Sequence, residues 1–122
     1  MINTFLKRSF IFLIVIFSMT LSAQQSSMIE DQVIQALGAS FRTDNDRHAD
    51  TYRLPAATLA FFGLKNNMQV IELIPGGGYY TKILGQVLAD NGKLYLGAGG
   101  NNVAEDLPKW GLNKVEIMDD NF

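Results

Sequence analysis

Apolar and polar positions divide the chain into segments with different periods. Phe10 to Phe17 is an unbroken apolar run, with Lys7 and Arg8 before it and Ser18-Met19-Thr20-Leu21-Ser22-Ala23 after it. From Met28 to Phe41, the residues Ile29, Val33, Ile34, Leu37 and Phe41 fall on one stripe of a helix. Thr43 to Tyr52 is polar and charged, which predicts an exposed loop or irregular turn. Pro55 suits the first turn of a helix, where its missing N–H is not needed. That helix, Ala56 to Phe62, is expected to bury Leu59 and Phe62 and to end at Gly63.

Beyond Gly63 the period changes. Gln69 to Ile74 is apolar except for Glu72, as expected of a short strand buried on both faces of a parallel sheet. Pro75-Gly76-Gly77-Gly78 stops it. From Tyr79 to Ala89 the spacing is helical, with Tyr80, Ile83, Leu84, Val87 and Leu88 on one face, and Asp90-Asn91-Gly92 closes the helix. Lys93 to Gly97 reads as a second strand. A Gly/Asn loop follows, then a short helix from about Val103 to Trp110 perturbed by Pro108. Lys114 to Met118 alternates like a half-exposed edge strand. Strands alternating with helices predict βαβ units and right-handed crossovers, hence an α/β, Rossmann-like parallel sheet with flanking helices. The sequence shows its third strand near residue 118, and reads as the first half of a larger doubly wound domain exposed along one side of its first strand.

The start of the chain has the layout of a secretory signal, with basic, apolar and then small residues over 1–23. Cleavage after Ala23 places Leu21 at the −3 position; cleavage after Ser22 places the smaller Thr20 there. The apolar run falls short of the roughly 18–20 residues that span a bilayer, so no stable membrane span is expected after cleavage; an uncleaved anchor is the alternative. Gln24 to Ser27 reads as a polar linker. The expected organisation is 1–23 signal, 24–63 helical segment and 64–122 sheet domain, in a protein exported to the periplasm or the medium.

The 122 residues are 48% hydrophobic and 18% charged, enough to bury a core. A net charge of −2 with dispersed charges gives no basic footprint, so no nucleic-acid partner is expected. The absence of cysteine excludes disulfides, thiolate metal sites, a Cys nucleophile and lipoprotein processing. With one histidine, His48, a His-based metal site or a Ser–His–Asp triad is hard to assemble, and His48 is expected at the surface. No metal site is predicted.

The candidate chemistry lies in Val70-Ile71-Glu72-Leu73-Ile74-Pro75-Gly76-Gly77-Gly78-Tyr79-Tyr80-Thr81. Glycines between a strand and a helix let the backbone approach a ligand and expose the N–H groups of the helix N-terminus. Such a turn can hold a phosphate or the carboxylate end of an amino-acid-like ligand. A dinucleotide fingerprint would read G-x-G-x-x-G, but Tyr79-Tyr80-Thr81 follows Gly78, and the Gly-Lys-Ser/Thr of a P-loop is missing too. Glu72 inside an apolar strand is explained by a carboxylate that faces a ligand cleft or orders the turn; a satisfied buried glutamate is the bland alternative.

Glu72-Leu73-Ile74-Pro75-Gly76-Gly77-Gly78 resembles the first motif of class I S-adenosylmethionine-dependent methyltransferases. More narrowly, Tyr52-Arg53-Leu54-Pro55, Thr58-Leu59-Ala60-Phe61-Phe62-Gly63-Leu64 and Pro75-Gly76-Gly77-Gly78-Tyr79-Tyr80-Thr81 are similar to a group of exported predicted methyltransferases with a PGGG-type loop. The resemblance covers about half the chain, Asp44 to Leu96. It implies S-adenosylmethionine as cofactor, with Gly76, Gly77 and Gly78 approaching its methionine part and Glu72 supporting the loop or meeting the amino group. Tyr79 joins this set of cofactor-binding candidates. The family's ribose-binding acid after the second strand falls here at Gly97-Ala98-Gly99, with Asn101, Asn102 or Glu105 as the nearby substitutes. Asp119 and Asp120 follow the third strand, where the family often contacts adenine. Tyr79, Tyr80 and Trp110 are candidates for stacking on adenine, though such aromatics are more often core or helix-packing residues. The resemblance implies methyl transfer to an acceptor the sequence does not name, with no catalytic base assigned. The alternatives are a non-catalytic exported binding or structural domain with a relic glycine loop, and another Rossmann-type enzyme using a nucleotide.

Overall fold

The computed structural model describes residue 24 and residues 28–118. The signal-like segment and Asp119-Asp120 lie outside the described residues. The fold is α/β: a parallel three-stranded sheet with flanking helices, of Rossmann-like character.

Helix α1 covers residues 28–37, shorter than the stripe predicted, because the chain turns at Gly38. It sends Ile29, Val33 and Ala36 into the core. The polar stretch expected to be a loop is helix α2, Asp44–Arg53. Thr43 caps it: its side chain accepts from the Asp46 N–H, while the Asp46 side chain accepts from the Thr43 N–H. This reciprocal capping box satisfies two donors that a helix start otherwise leaves unpaired. The helix buries only Asp46 and Ala49, so hydrophobic periodicity gives no sign of it. His48 is exposed on it.

Helix α3, Pro55–Phe61, has its proline in the first turn as predicted, and Gly63 follows at φ 72°. Leu59 packs on the core, but Phe61 and Phe62 are 85% and 77% exposed, against the expectation that Phe62 is buried. Strand β1, Gln69–Glu72, is shorter than the apolar run and covered on one face only. Val70 and Glu72 turn toward helix α4, Tyr79–Val87, while Ile71 on the other face is 54% exposed. Leu73 and Ile74, read as strand, belong to the turn and are 70% and 77% exposed.

Strand β2, Lys93–Leu96, pairs in parallel with β1, Gln69 opposite Lys93 and Glu72 opposite Leu96. Strand β3, Glu116–Ile117, pairs in parallel with β2 and forms the other edge, as the alternating pattern predicts. The order β1-β2-β3 leaves β1 at an edge. Between β2 and β3 the expected helix is instead a short 3₁₀ turn, Gly100–Val103, followed by irregular turns to Gly111. Pro108 and the glycines at each end suit turns better than a continuous helix. The turns still bury Val103, Leu107 and Leu112 against the core around Ile83, Leu88 and Leu96.

Candidate functional site

The glycine turn joins the carboxyl end of β1 to the N-terminus of α4, so it sits on the rim of the sheet where open α/β folds take ligands. Gly76 and Gly78 adopt φ 58° and 79°, a region that costs little only without a side chain. The three glycines are not equivalent. A Cβ at Gly76 or Gly77 would meet nothing within 4 Å, whereas at Gly78 it would lie 2.6 Å from the Trp110 ring. Gly78 is therefore the packing glycine, and Gly76 and Gly77 are the exposed ones. Gly77 alone of the three does not need a positive φ.

Glu72 ends β1, at the base of this turn. Its carboxylate accepts 2.7 Å from the Thr81 hydroxyl and also from the Thr81 N–H. Burial pushes the Glu72 carboxyl above the usual carboxylate range, and the Thr81 bonds pull against that. The turn is also stitched to the loop after β2: Ile74 N–H donates to Ala98 O at 3.0 Å, and Gly97 N–H to Glu72 O at 2.9 Å. Ile74 does this at φ 57°, rare for a β-branched residue.

Tyr79 turns inward. Its hydroxyl donates to Asp50 Oδ1 at 2.7 Å, and burial followed by the Asp50 carboxylate raises its pKa well above the ordinary tyrosine value. Asp50 also takes both ends of the Arg42 guanidinium, at 2.7 and 2.8 Å. That bidentate bond holds the Asp50 carboxyl below its ordinary value. Beside it Lys82 Nζ meets Asp46 Oδ2 at 2.7 Å, both side chains nearly inaccessible. This network anchors α2 to the first turn of α4. Asp46 and Asp50 fall in the stretch expected to be an exposed loop, and neither they nor Arg42 and Lys82 are foreseen as buried partners; the Thr43-x-x-Asp46 capping spacing is the local signal of α2 and its inward-facing acids.

The remaining candidates separate. Tyr80 is half-buried edge-on to Tyr79, with ring centroids 4.9 Å apart. Trp110 is held between Phe41, Gly78 and Lys82, whose Nζ is 4.7 Å from the ring centroid. Asn101, Asn102 and Glu105 are exposed on the turns beyond Gly99. Arg53, unremarked as a site residue, is exposed with its guanidinium 4.5 Å from the Tyr79 ring centroid and 6.0 Å from that of Tyr80. It makes no salt bridge among the described residues.

Among the described residues, no group of three or more His, Asp or Glu is placed to hold a metal, and no helix is long and apolar enough to cross a membrane. Comparison with protein families, curated proteins and solved structures gives no match to this chain.

Proposed function

We propose that this chain binds S-adenosylmethionine at the turn Ile74–Gly78 and serves methyl transfer to an acceptor that its residues do not identify. One observation carries the reading: a half-buried carboxylate, Glu72 at the end of β1, is bonded to Thr81 in the first turn of α4, and the turn between them carries two glycines, Gly76 and Gly77, with open space where a side chain would stand. The donor set fits the ligand. Gly76 and Gly77 allow close backbone approach, and the α4 N-terminus favours a carboxylate. Glu72 suits the ammonium or sulfonium charge. Arg53 is a second partner for the ligand carboxylate, its guanidinium lying 4.5 Å from the Tyr79 ring centroid. When bound, the cofactor supplies a methyl group already activated on sulfonium, so the protein's part is alignment and exclusion of water. Tyr79 serves by fixing the start of α4 rather than by stacking on adenine.

A second reading, a non-catalytic exported domain that keeps the loop only as a turn, is favoured by Gly97-Ala98-Gly99, which offers no acid for ribose hydroxyls. Titration calorimetry with S-adenosylmethionine, its demethylated product and NAD separates the two. The cofactor reading expects saturable binding of the two methionine-derived ligands alone, abolished in Gly77→Val, whose side chain enters open space without disturbing the fold. A folded chain that binds none of them leaves the second reading.

A further inference from the structure

Helix α3 carries no charged residue, and its one hydroxyl, Thr58, is turned back onto Arg53 O at 2.9 Å. Its inner face packs Ala56 and Leu59 on the core, with Pro55 buried. Its outer face is apolar as well. Leu54, Ala57 and Phe61 are exposed and spaced three and four apart, which places them on one stripe. Phe62 follows, its ring edge-on to Phe61 with centroids 5.5 Å apart. A surface helix ordinarily turns polar residues outward, and one that is apolar on both sides has a partner for both. Leu54 adds to this. It holds φ 45°, a region unfavourable for leucine, yet stays 59% exposed, so the folded chain gains little from its side chain.

The charge around this stripe has one sign. No aspartate or glutamate occurs between Asp50 and Glu72, while Arg53 and Lys65 stand just before and just after the stripe. Both cations are exposed, and neither forms a salt bridge among the described residues. A chain with a net charge of −2 thus presents one cationic, aromatic surface. A second copy of the chain fits it poorly, because a two-fold contact sets like cations together with no acid to pair them. The area is also small for a protein partner. At about 200 Å² for a large side chain, Leu54, Phe61 and Phe62 expose roughly 400 Å², half of the about 800 Å² that each side of a stable interface buries. An anionic lipid surface suits both features: the acyl boundary takes the aromatic rings, and the headgroup phosphates take the cations. Among the described residues no helix is long and apolar enough to cross a membrane, so the contact lies in the plane of the interface.

We propose that the outer face of α3, with Phe61 and Phe62 at its crest and Arg53 and Lys65 at its ends, docks on an anionic lipid surface. The inference does not rest on the methyltransferase reading, and Lys65, which has no part in that reading, carries the test of charge.

The chain contains no cysteine, so one introduced thiol takes a single spin label. The full chain is labelled through Phe62→Cys, or through Glu105→Cys on the exposed turns beyond Gly99. Each is mixed with vesicles of phosphatidylglycerol and phosphatidylcholine, or of phosphatidylcholine alone. Collisions of the label with dissolved oxygen and with a water-soluble nickel chelate read immersion site by site, so lipid contact by the apolar run near the N-terminus does not count as docking. Phe62 is 77% exposed, so its replacement leaves the core intact. On vesicles with phosphatidylglycerol, the label replacing Phe62 should gain oxygen and lose chelate collisions, while the label replacing Glu105 stays in water. Lys65→Gln should raise the lipid needed for half-immersion by about fivefold, the effect of one cation near an anionic surface. A label at Phe62 that stays open to the chelate on every vesicle overturns the proposal. Equal immersion on phosphatidylcholine alone, or an unchanged midpoint in Lys65→Gln, overturns the anionic class of surface. Spin–spin broadening at Phe62 without lipid overturns it in favour of a second copy.

Discussion

The Thr81 hydroxyl donates 2.7 Å to the Glu72 carboxylate, so the last residue of β1 and the first turn of α4 are joined across the glycine turn by their side chains. The turn is clamped at its base and free at its crest, as a loop that receives a ligand requires.

Burial raises the Glu72 pKa, so its charged form is disfavoured in the folded chain. A carboxyl with a raised folded pKa contributes stability that is fully present below its unfolded value and is lost as pH rises through the folded value. Glu72→Gln keeps an acceptor for Thr81 and cannot ionise. The expected outcome is a variant at least as stable as the parent at neutral pH, without the fall in stability between the ordinary and the raised carboxyl pKa, and unable to bind S-adenosylmethionine. Urea unfolding across mildly acidic to neutral pH reads the first part and calorimetry the second. A clear loss of stability at neutral pH would mean that the ionised carboxylate supports the turn.

Asp46 and Asp50 act with the opposite sign. Burial works against ionisation of Asp46, but bonds from Lys82 and Thr43 outweigh it, and Arg42 lowers Asp50. Stability from both is present above the ordinary aspartate pKa and lost as pH falls through the depressed values. Lys82→Met strands Asp46, whose side chain is 10% exposed, and is expected to cost about 3–5 kcal/mol. Adding Asp46→Leu should restore part of that loss, because no buried charge then remains. Urea midpoints of the single and double variants decide it; a Lys82→Met loss below about 1 kcal/mol would place the pair among ordinary surface ion pairs.

Gly77 and Gly78 should separate fold from ligand. At Gly78 any side chain meets both φ 79° and the Trp110 ring at 2.6 Å, so Gly78→Ala is expected to lower stability by about 1–3 kcal/mol. Gly77→Ala should leave stability nearly unchanged and weaken cofactor binding. Thermal unfolding beside calorimetry checks both, and equal destabilisation by the two substitutions would contradict the assignment of Gly78 alone to packing.

These assignments show where sequence reading succeeds and where it stops. The βαβ order, the proline start of α3 and the edge position of β3 follow from short-range patterns that one window of sequence contains. Helix α2 escapes because it is held by caps and ion pairs instead of an apolar stripe, burying only Asp46 and Ala49. The apolar run through Ile74 suggests two covered faces, yet pattern cannot tell coverage from potential coverage, and Ile71, Leu73 and Ile74 are exposed. The hydrogen bonding of Glu72 across the turn is legible because its neighbours in sequence are also its neighbours in space. The Tyr79–Asp50 bond is not, because Asp50 lies 29 residues earlier on an element the pattern does not reveal.

Ile74 stores backbone strain at φ 57° while 77% exposed, so its side chain gains little from burial. Asparagine adopts this region more readily, and the N–H bond to Ala98 does not depend on the side chain. Ile74→Asn is expected to stabilise the chain by about 1 kcal/mol, read as a higher urea midpoint with an unchanged slope. A lower midpoint would show that the isoleucine side chain makes contacts worth more than the strain.

Arg53 offers the sharpest check on how the ligand would be oriented. Its guanidinium carbon lies 4.5 Å from the Tyr79 ring centroid and the group forms no salt bridge among the described residues, which leaves its charge available to a ligand. Lysine keeps the charge but loses the planar fork. Arg53→Lys is therefore expected to weaken S-adenosylmethionine by about tenfold, and Arg53→Gln by about 100-fold, from loss of a charge-assisted bond of roughly 1.5–3 kcal/mol. Stability should change little, because an exposed cation–π contact is worth about 0.5–1 kcal/mol. The decarboxylated cofactor should bind parent and variants alike, since it lacks the group that Arg53 would meet. Equal losses for both ligands would show that Arg53 supports the turn through Tyr79 and does not touch the carboxylate.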